Sequence, residues 1–435
     1  MSAPFVLAAV LPAVSDAARA RFGWSNAGAP GQNPSHPVFP EIPDSPGGEP
    51  CAAERRPVPT GLAATYALGW DDGLVGTLNP AQARDRDTAG LPYVAVLHTK
   101  GDARGVIRVA WDERRAEVDV LDDAGHVTSR DAFRVDDESL FLLPHTDGEP
   151  ITGTTSEEHM VRTVAYGRDG RAACVLDYGG SFQTPDDISR PRADRPDFGS
   201  WHDVLAIAGI KGADLSGTVG TPTLPNNDDG VPWAPGHPLR PGDLEAMFTP
   251  GARARESGDP VEIELVDAGK LRLPSVRLLA TDPDYLTQEL PAWEGALTAR
   301  VAPGTYPVEL SIAQNLANDW ETVAGARIVV SDEPVESWEL GLRKDQHEID
   351  LDDGEFYGVS VDTGTASFTD VEAIPAVAEP AREVSAALEG WHGTVDDGGL
   401  VMWHAGYGDG SYPVRVGRDR DGAVTAFVAD MLILD

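Results

Sequence analysis

The feature that most constrains this chain is how often its backbone is punctuated: 46 glycines and 35 prolines fall among 435 residues. Glycine weakens the interior of helices and strands, and proline fixes φ and removes a donor, so uninterrupted segments are short. Short extended segments tolerate this better than helices do. The intervening runs alternate as strands do: Val261, Ile263 and Leu265 are separated by Glu262 and Glu264, and residues 306–312 and 326–330 are patterned similarly. Residues 106–111 and 116–121 carry β-branched side chains, and the second run ends in the turn Asp122-Asp123-Ala124-Gly125. Residues 162–166 and 171–176 flank Gly167-Arg168-Asp169-Gly170, and residues 412–416 and 423–429 flank a turn ending in Asp421-Gly422, both hairpin patterns. Two short helices are predicted, over 201–210 with Ser200 as N-cap and over 379–388. The sequence therefore predicts a mainly β protein with a few short helices, all-β or α+β. Its N-terminal domain reads as an antiparallel meander and its C-terminal domain as β-rich and sandwich-like.

At 435 residues the chain exceeds the length at which one core usually stops growing. The pattern divides it into an apolar N-terminal segment with a proline-rich linker (1–60), a meander domain ending in a short helix (61–215), a Pro/Asn-rich connection (216–250) and a β-rich domain (251–435). The linker holds Pro30, Pro34, Pro37, Pro40, Pro43, Pro46, Pro50, Pro57 and Pro59.

Acids outnumber bases by 71 to 34, giving a net charge of -37 spread along the whole chain. Such a field repels nucleic acid and anionic lipid and suits a basic partner. The lysines are Lys100, Lys211, Lys270 and Lys344, so the cationic side chains are almost all arginines. Cys51 and Cys174 show no CxxC or Cys/His spacing, which argues against a disulfide framework or a structural zinc. The apolar run from residue 3 to residue 18 lacks a preceding basic stretch and is broken by Pro12 and Asp16, so it reads poorly as a signal peptide. No run of about eighteen apolar residues occurs. A cytoplasmic protein without membrane or nucleic-acid partners is the expectation, and no cofactor is predicted.

Four stretches carry a resemblance. Leu271-Arg272-Leu273-Pro274-Ser275 leads to Asp282-Pro283; Pro303-Gly304-Thr305-Tyr306-Pro307-Val308 follows. Then come Gly354-Glu355-Phe356-Tyr357-Gly358 with Asp362, Gly364 and Asp370, and Gly406-Tyr407-Gly408-Asp409-Gly410-Ser411-Tyr412-Pro413 with Gly417, Asp421-Gly422 and Asp430. In order and spacing, residues 265–435 resemble a bacterial family known as domain of unknown function 4241. Val276 departs from the pattern, standing where a glycine is expected. The resemblance implies a domain boundary and no chemistry.

Candidate chemistry lies in the same half. Asp350, Asp352 and Asp362 offer oxygen ligands to a hard cation, but an EF-hand loop starting at Asp350 needs a glutamate at its twelfth position, where Val361 stands. An exposed acidic turn before a strand explains the cluster better. The loop from Gly406 to Gly410 lacks the G-x-G-x-x-G spacing and the following helix that a dinucleotide needs, so its glycines are expected to shape a turn and Asp409 to accept backbone hydrogen bonds. His404, five residues before Asp409, with Glu355 and Asp370, forms the candidate acid–base set, and Asp421 and Asp430 are further carboxylates of this kind. No G-x-S-x-G or H-E-x-x-H motif accompanies it. Trp403, Tyr407 and Tyr412 are the candidate ligand-contacting aromatics, against the plainer expectation that tryptophans anchor cores. Two readings result. One is a non-catalytic binding or interaction module, an immunity-type acidic partner of a basic toxin; the other is a hydrolase using carboxylates and His404. The first is preferred, because no catalytic motif is present and the net charge is high.

Overall fold

The computed structural model describes residues 13–14, 63–99, 102–121, 125, 127–136, 139–142, 145–150, 159–166, 172–177, 182–183, 192–201, 204–205, 224–286, 295–318, 320–344 and 346–435. The proline-rich linker, both cysteine side chains, the rest of the apolar N-terminal run and most of the helix expected over 201–210 lie outside them. The chain forms two compact units, Ala27–Gly236 and His237–Asp435, the latter joined by Met1–Asn26. Both are built mainly from antiparallel sheet, as the punctuated sequence predicts. No helix among the described residues is long and apolar enough to cross a membrane.

The first strand, β1 (Ala13–Val14), belongs to the second unit. The first unit runs β2 (Ala63–Trp70), β3 (Leu74–Leu78), α1 (Pro80–Thr88), β4 (Tyr93–Thr99), β5 (Asp102–Ala110), β6 (Arg115–Leu121), β7 (Val127–Asp136), β8 (Ser139–Leu142), β9 (His145–Pro150), β10 (His159–Tyr166), β11 (Ala172–Asp177), β12 (Phe182–Gln183) and β13 (Arg192–Asp194). Its sheet order, β3-β2-β4-β5-β6-β7-β9-β10-β11-β12, is a meander, with β8 pairing both β7 and β13. The hairpin read from residues 162–176 is present, Arg162 facing Leu176 and Tyr166 facing Ala172. Because side chains alternate across a strand, β4 fills two cores at once. Tyr93, Ala95 and Leu97 join Ile107, Phe133 and Trp201 on one face, while Val94 and Val96 join Val106, Leu121 and Leu224 on the other. Residues 224–236 belong to this unit, where Pro225 and Asn227 exchange backbone bonds with Leu74 and Trp233 bonds to Leu68. Helix α1 begins with proline at its first turn and a capping box between Asn79 and Gln82.

One buried carboxylate organises the middle of this sheet. Asp119 accepts from Arg108 at 2.7 Å and from Arg130 at 2.7 and 3.0 Å, bridging three strands. Burial pushes its carboxyl up, but the hydrogen bonds and charges of Arg130 and Arg108 outweigh burial and leave it below its ordinary value. A carboxyl depressed in the folded state contributes stability above its unfolded value of roughly pH 4, and that contribution is lost as pH falls through the folded value. Asp119→Asn is therefore expected to lower the melting temperature at neutral pH, by a margin that narrows as pH falls below roughly 4. Equal melting curves at neutral pH would remove this ion pair from the stability of the unit.

The second unit runs α2 (Leu244–Met247), β14 (Arg253–Glu256), β15 (Asp259–Leu273), β16 (Leu278–Thr281), β17 (Gly304–Asn315), β18 (Glu321–Val329), β19 (Ser337–Leu340), β20 (Glu355–Phe356), β21 (Gly358–Val361), β22 (Thr365–Asp370), α3 (Ile374–Ala386), β23 (His392–Val395), β24 (Leu400–His404), β25 (Gly410–Arg418) and β26 (Val424–Asp430). A large sheet follows the order β14-β15-β17-β18-β26-β25-β19, with β21 also pairing β25, and β1 pairs β20. A four-stranded sheet, β16-β22-β24-β23, faces it. Period two again explains the layers. On β24, Val401 and Trp403 join Val308, Leu310 and Ile312 of the large sheet in one core, while Leu400 and Met402 meet Ile374, Val377 and Ala381 of α3 in another. The two sheets thus form a sandwich with a helix on its outer side. Strand β15 bulges between Asp267 and Lys270, where Gly269 has a φ of +93° and donates to Asp267 Oδ1 at 2.8 Å.

Helix α3 corrects the expectation of a helix over 379–388. It starts five residues earlier because Pro375 sits in the first turn, where no backbone donor is needed, and Asp370 holds the turn before it. Pro380 stands inside it, and burial of Ile374, Val377 and Ala381 outweighs the backbone bond that proline forgoes.

Candidate functional site

The acid-rich turns of the second unit form several separate arrangements rather than one. The first centres on Asp282, fully buried at the end of β16. Its Oδ1 accepts from Asp284 N at 2.9 Å, and its Oδ2 accepts from the backbone nitrogens of Asp362 and Thr363, both at 2.9 Å. Thr363 Oγ1 donates to both oxygens, at 3.0 and 2.9 Å. This carboxylate therefore splices the turn after β16 to the turn after β21. Asp362, on that second turn, accepts from the Tyr285 hydroxyl. Burial first, then the nearby charges of Asp409 and Asp282, raise its carboxyl above the ordinary value.

Asp409 reaches the same turn from the loop before β25, where its Oδ1 accepts from Gly364 N at 3.0 Å. That loop carries Gly406 at a φ of +48° and Gly408 at +108°, conformations open to glycine, and the Tyr412 hydroxyl closes it by donating to Gly408 O at 2.7 Å. The Tyr412 phenol is raised by burial, with the Asp409 charge adding to it. The glycines shape a turn as the sequence predicts, but Asp409, expected to accept within its own loop, accepts from Gly364 on the turn after β21, and Tyr412 closes the loop. The structure thus joins the turns that carry Asp282, Asp362 and Asp409, with Tyr412 closing the last of them.

The other candidates lie elsewhere in the unit. Asp370 is fully buried and accepts from Ser275 N at 2.9 Å and Glu372 N at 2.8 Å. Glu355 accepts from Asp352 N at 2.8 Å, closing the turn before β20, and Asp350 ends the short 3-10 turn just ahead of it. His404 ends β24, its backbone bonded to Trp391 O at 3.2 Å, and it makes no hydrogen bond to Asp409. Trp403 is fully buried, packed 4.7 Å from the Phe368 ring. Tyr407 is exposed and donates to Glu256 at 2.6 Å. Asp421 sits in the β25–β26 turn, and Asp430 is buried beside that hairpin, accepting from Leu432 N at 2.9 Å while burial raises its carboxyl. Among the described residues, no group of three or more His, Cys, Asp or Glu side chains is arranged to hold a metal ion.

A narrow cleft with room for about one water molecule opens between the end of β19, β21 and β25, lined in part by Leu297, Gly341, Arg343, Gln346, Tyr357 and Val414. None of Glu355, Asp370, His404 and Asp409 lines it. Arg343 and Gln346 escape sequence reading because a lone arginine between strands carries no motif. Asp282 was legible only as Asp282-Pro283 with Asp284 two positions on, the pattern of a turn in which a carboxylate accepts from the second residue after it.

No curated protein and no solved structure matches the chain. Residues 271–429, which span β16 to β25 and most of β26 and so carry both the Asp282 arrangement and the cleft, match the family described as Protein of unknown function (DUF4241).

Proposed function

We propose that the protein is a non-catalytic binding module whose partner is a basic protein, in an immunity-type pairing that neutralises a cationic toxin. The observation that supports this most is the use made of the candidate carboxylates. Asp282, Asp370 and Asp409 accept backbone N–H groups that hold turns, and a carboxylate committed in this way is poorly placed to move protons for a substrate. What remains chemically available is the acidic surface, with Asp332, Glu333 and Glu336 on one exposed stretch and Glu379, Glu383 and Glu389 on another. A net charge of -37 steers cationic proteins and speeds their encounter.

The test is calorimetric titration of the full chain with a small basic protein, taken from its gene neighbourhood where one is encoded there. The expected result is a stoichiometric complex whose Kd weakens about tenfold or more between low and high salt, because surface charges are screened beyond roughly 10 Å at 0.1 M. The opposite result is hydrolysis of a chromogenic phosphoester or glycoside at a rate that His404→Ala or Asp409→Asn abolishes without changing the melting temperature. That outcome would establish an enzyme.

A further inference from the structure

Five large apolar side chains of the second unit are exposed among its described residues, and four of them, Leu316, Trp320, Tyr407 and Leu432, stand at one end of the large sheet. The topology puts them there. In an antiparallel sheet the end of one strand lies beside the start of the next, so the turns 257–258 and 316–320, the segment after β26 and the loop before β25 share an edge. Hydrogen bonds join them: Leu316 N donates to Pro260 O at 3.0 Å, Gly258 N to Asp435 Oδ2 at 2.7 Å, Asp435 N to Arg255 O at 2.9 Å and the Tyr407 hydroxyl to Glu256 at 2.6 Å. A Cβ on Gly406 would meet Met431 and Ile433 at 3.0 Å, so the Tyr407 loop lies directly on the segment that carries Leu432.

Two of these side chains are held out in set positions. Trp320 is 59% exposed, and its turn is fixed before anything binds: Asn315 N donates to Trp320 O at 2.9 Å, Trp320 N to Asn318 Oδ1 at 2.8 Å and Ala317 N to Asn315 Oδ1 at 2.9 Å. Leu432 has a φ of +54°, a conformation that leucine rarely adopts, and its N–H is held by Asp430 Oδ1 at 2.9 Å. Backbone strain of that kind gathers at working surfaces. An apolar side chain exposed singly needs no account, but a tryptophan, a tyrosine and two leucines at one end form the kind of patch that a partner covers, and tryptophan and tyrosine are the residues that anchor such contacts. On the same turns and strand ends Asp259, Glu321, Asp409 and Asp435 are exposed. The cations here are already engaged, Arg255 donating to Gly258 O at 2.7 Å and Arg253 lying 3.9 Å from Glu262.

We propose that this end of the second unit is the docking face for a basic protein, with Trp320, Leu316, Tyr407 and Leu432 as its apolar centre and the carboxylates about them meeting the partner's lysines and arginines. The assignment rests on the basic-partner reading and adds where that partner sits. An apolar centre inside a charged rim is the anatomy of a protein interface. Its acids disfavour a second copy of this chain, of charge -37, and an anionic lipid surface, since both carry the same sign.

The experiment is calorimetric titration of the full chain and its variants with the same small basic protein, at low and at high salt. Trp320→Ser is expected to bind about tenfold or more weakly than the parent at an almost unchanged melting temperature, because the side chain is mostly exposed. Leu432→Asn, which suits a positive φ, should fold normally and also bind more weakly; it carries the test if serine at 320 disturbs its turn. The Kd values of the parent and of Trp320→Ser should both weaken with salt while their ratio stays constant, because screening acts on the charges and not on the apolar centre. Glu379→Gln combined with Glu383→Gln, on α3, removes two charges elsewhere and should weaken binding less than Trp320→Ser does. Binding by the parent that Trp320→Ser and Leu432→Asn both retain would overturn this face and leave the basic-partner reading standing, whereas no binding by the parent would overturn both. Dimers of the parent alone that Trp320→Ser disperses, or sedimentation of the parent with phosphatidylserine vesicles, would give the face another occupant and overturn the proposal.

Discussion

Trp403→Ala is expected to lower stability by about 3 to 5 kcal/mol, the range for removing a large aromatic from a closed core. Trp403 is fully buried where the two sheets of the second unit meet, with Phe368 at 4.7 Å across a 52° tilt. Strand β24 lies between β22 and β23, so its backbone cannot collapse readily into the space left behind. The contrasting substitution is Trp403→Phe. The indole Nε1 is buried without a hydrogen-bond partner, so phenylalanine sheds an unsatisfied donor as well as volume. Its expected loss is about 1 kcal/mol or less, part of the packing loss being offset. Urea unfolding of both variants decides the matter. A cost for the alanine variant below that of the phenylalanine variant would mean that Trp403 does not anchor the core.

Asp282→Ala is expected to cost about 3 kcal/mol or more, from a side chain with little apolar surface to lose. The loss comes from what stays behind: the backbone nitrogens of Asp284, Asp362 and Thr363 and the Thr363 hydroxyl would all lack their acceptor. A buried donor left without a partner costs about 1 to 3 kcal/mol, and water entering the gap recovers part of that. For a unit of this size the melting temperature should fall by roughly 6 °C or more. Asp282→Asn retains one acceptor oxygen and should fall between the alanine variant and the parent. Because Asp282 ties together the turns that carry Asp362 and receive Asp409, the alanine variant should also expose the 362–364 turn to proteolysis. A melting temperature unchanged by Asp282→Ala would mean that the two turns are held by other contacts.

These two residues show where sequence reading works and where it stops. The run Leu400-Val401-Met402-Trp403 is apolar throughout, as in a strand covered on both faces, and period two states that Trp403 and Met402 face opposite ways. It does not state which face meets a second sheet and which meets a helix, because that depends on segments such as 304–315 and 374–386 distant along the chain. Trp403 was therefore readable both as a core anchor and as a ligand-contacting aromatic, and burial between the sheets leaves it the first role. The same limit applied to the acids. Asp282, Asp362 and Asp409 are each turn residues by local chemistry, and nothing local says that the three turns meet. Helix α3 was placed too late along the chain because the benefit that carries it past Pro380 is a tertiary contact.

By itself the sequence determined the secondary-structure class, the hairpins and the turn role of the Gly406 to Pro413 loop, because periodicity, proline placement and glycine conformation act over a few residues and need no partner. It also determined the excess of negative charge, which is a sum over residues and independent of their arrangement. Only the tertiary structure decided that the turns of Asp282, Asp362 and Asp409 meet, that His404 and Asp409 make no pair, and that Arg343 lines a narrow cleft. Those are distances between segments tens of residues apart, set by how two sheets and a helix pack on shared cores, and no local preference encodes them.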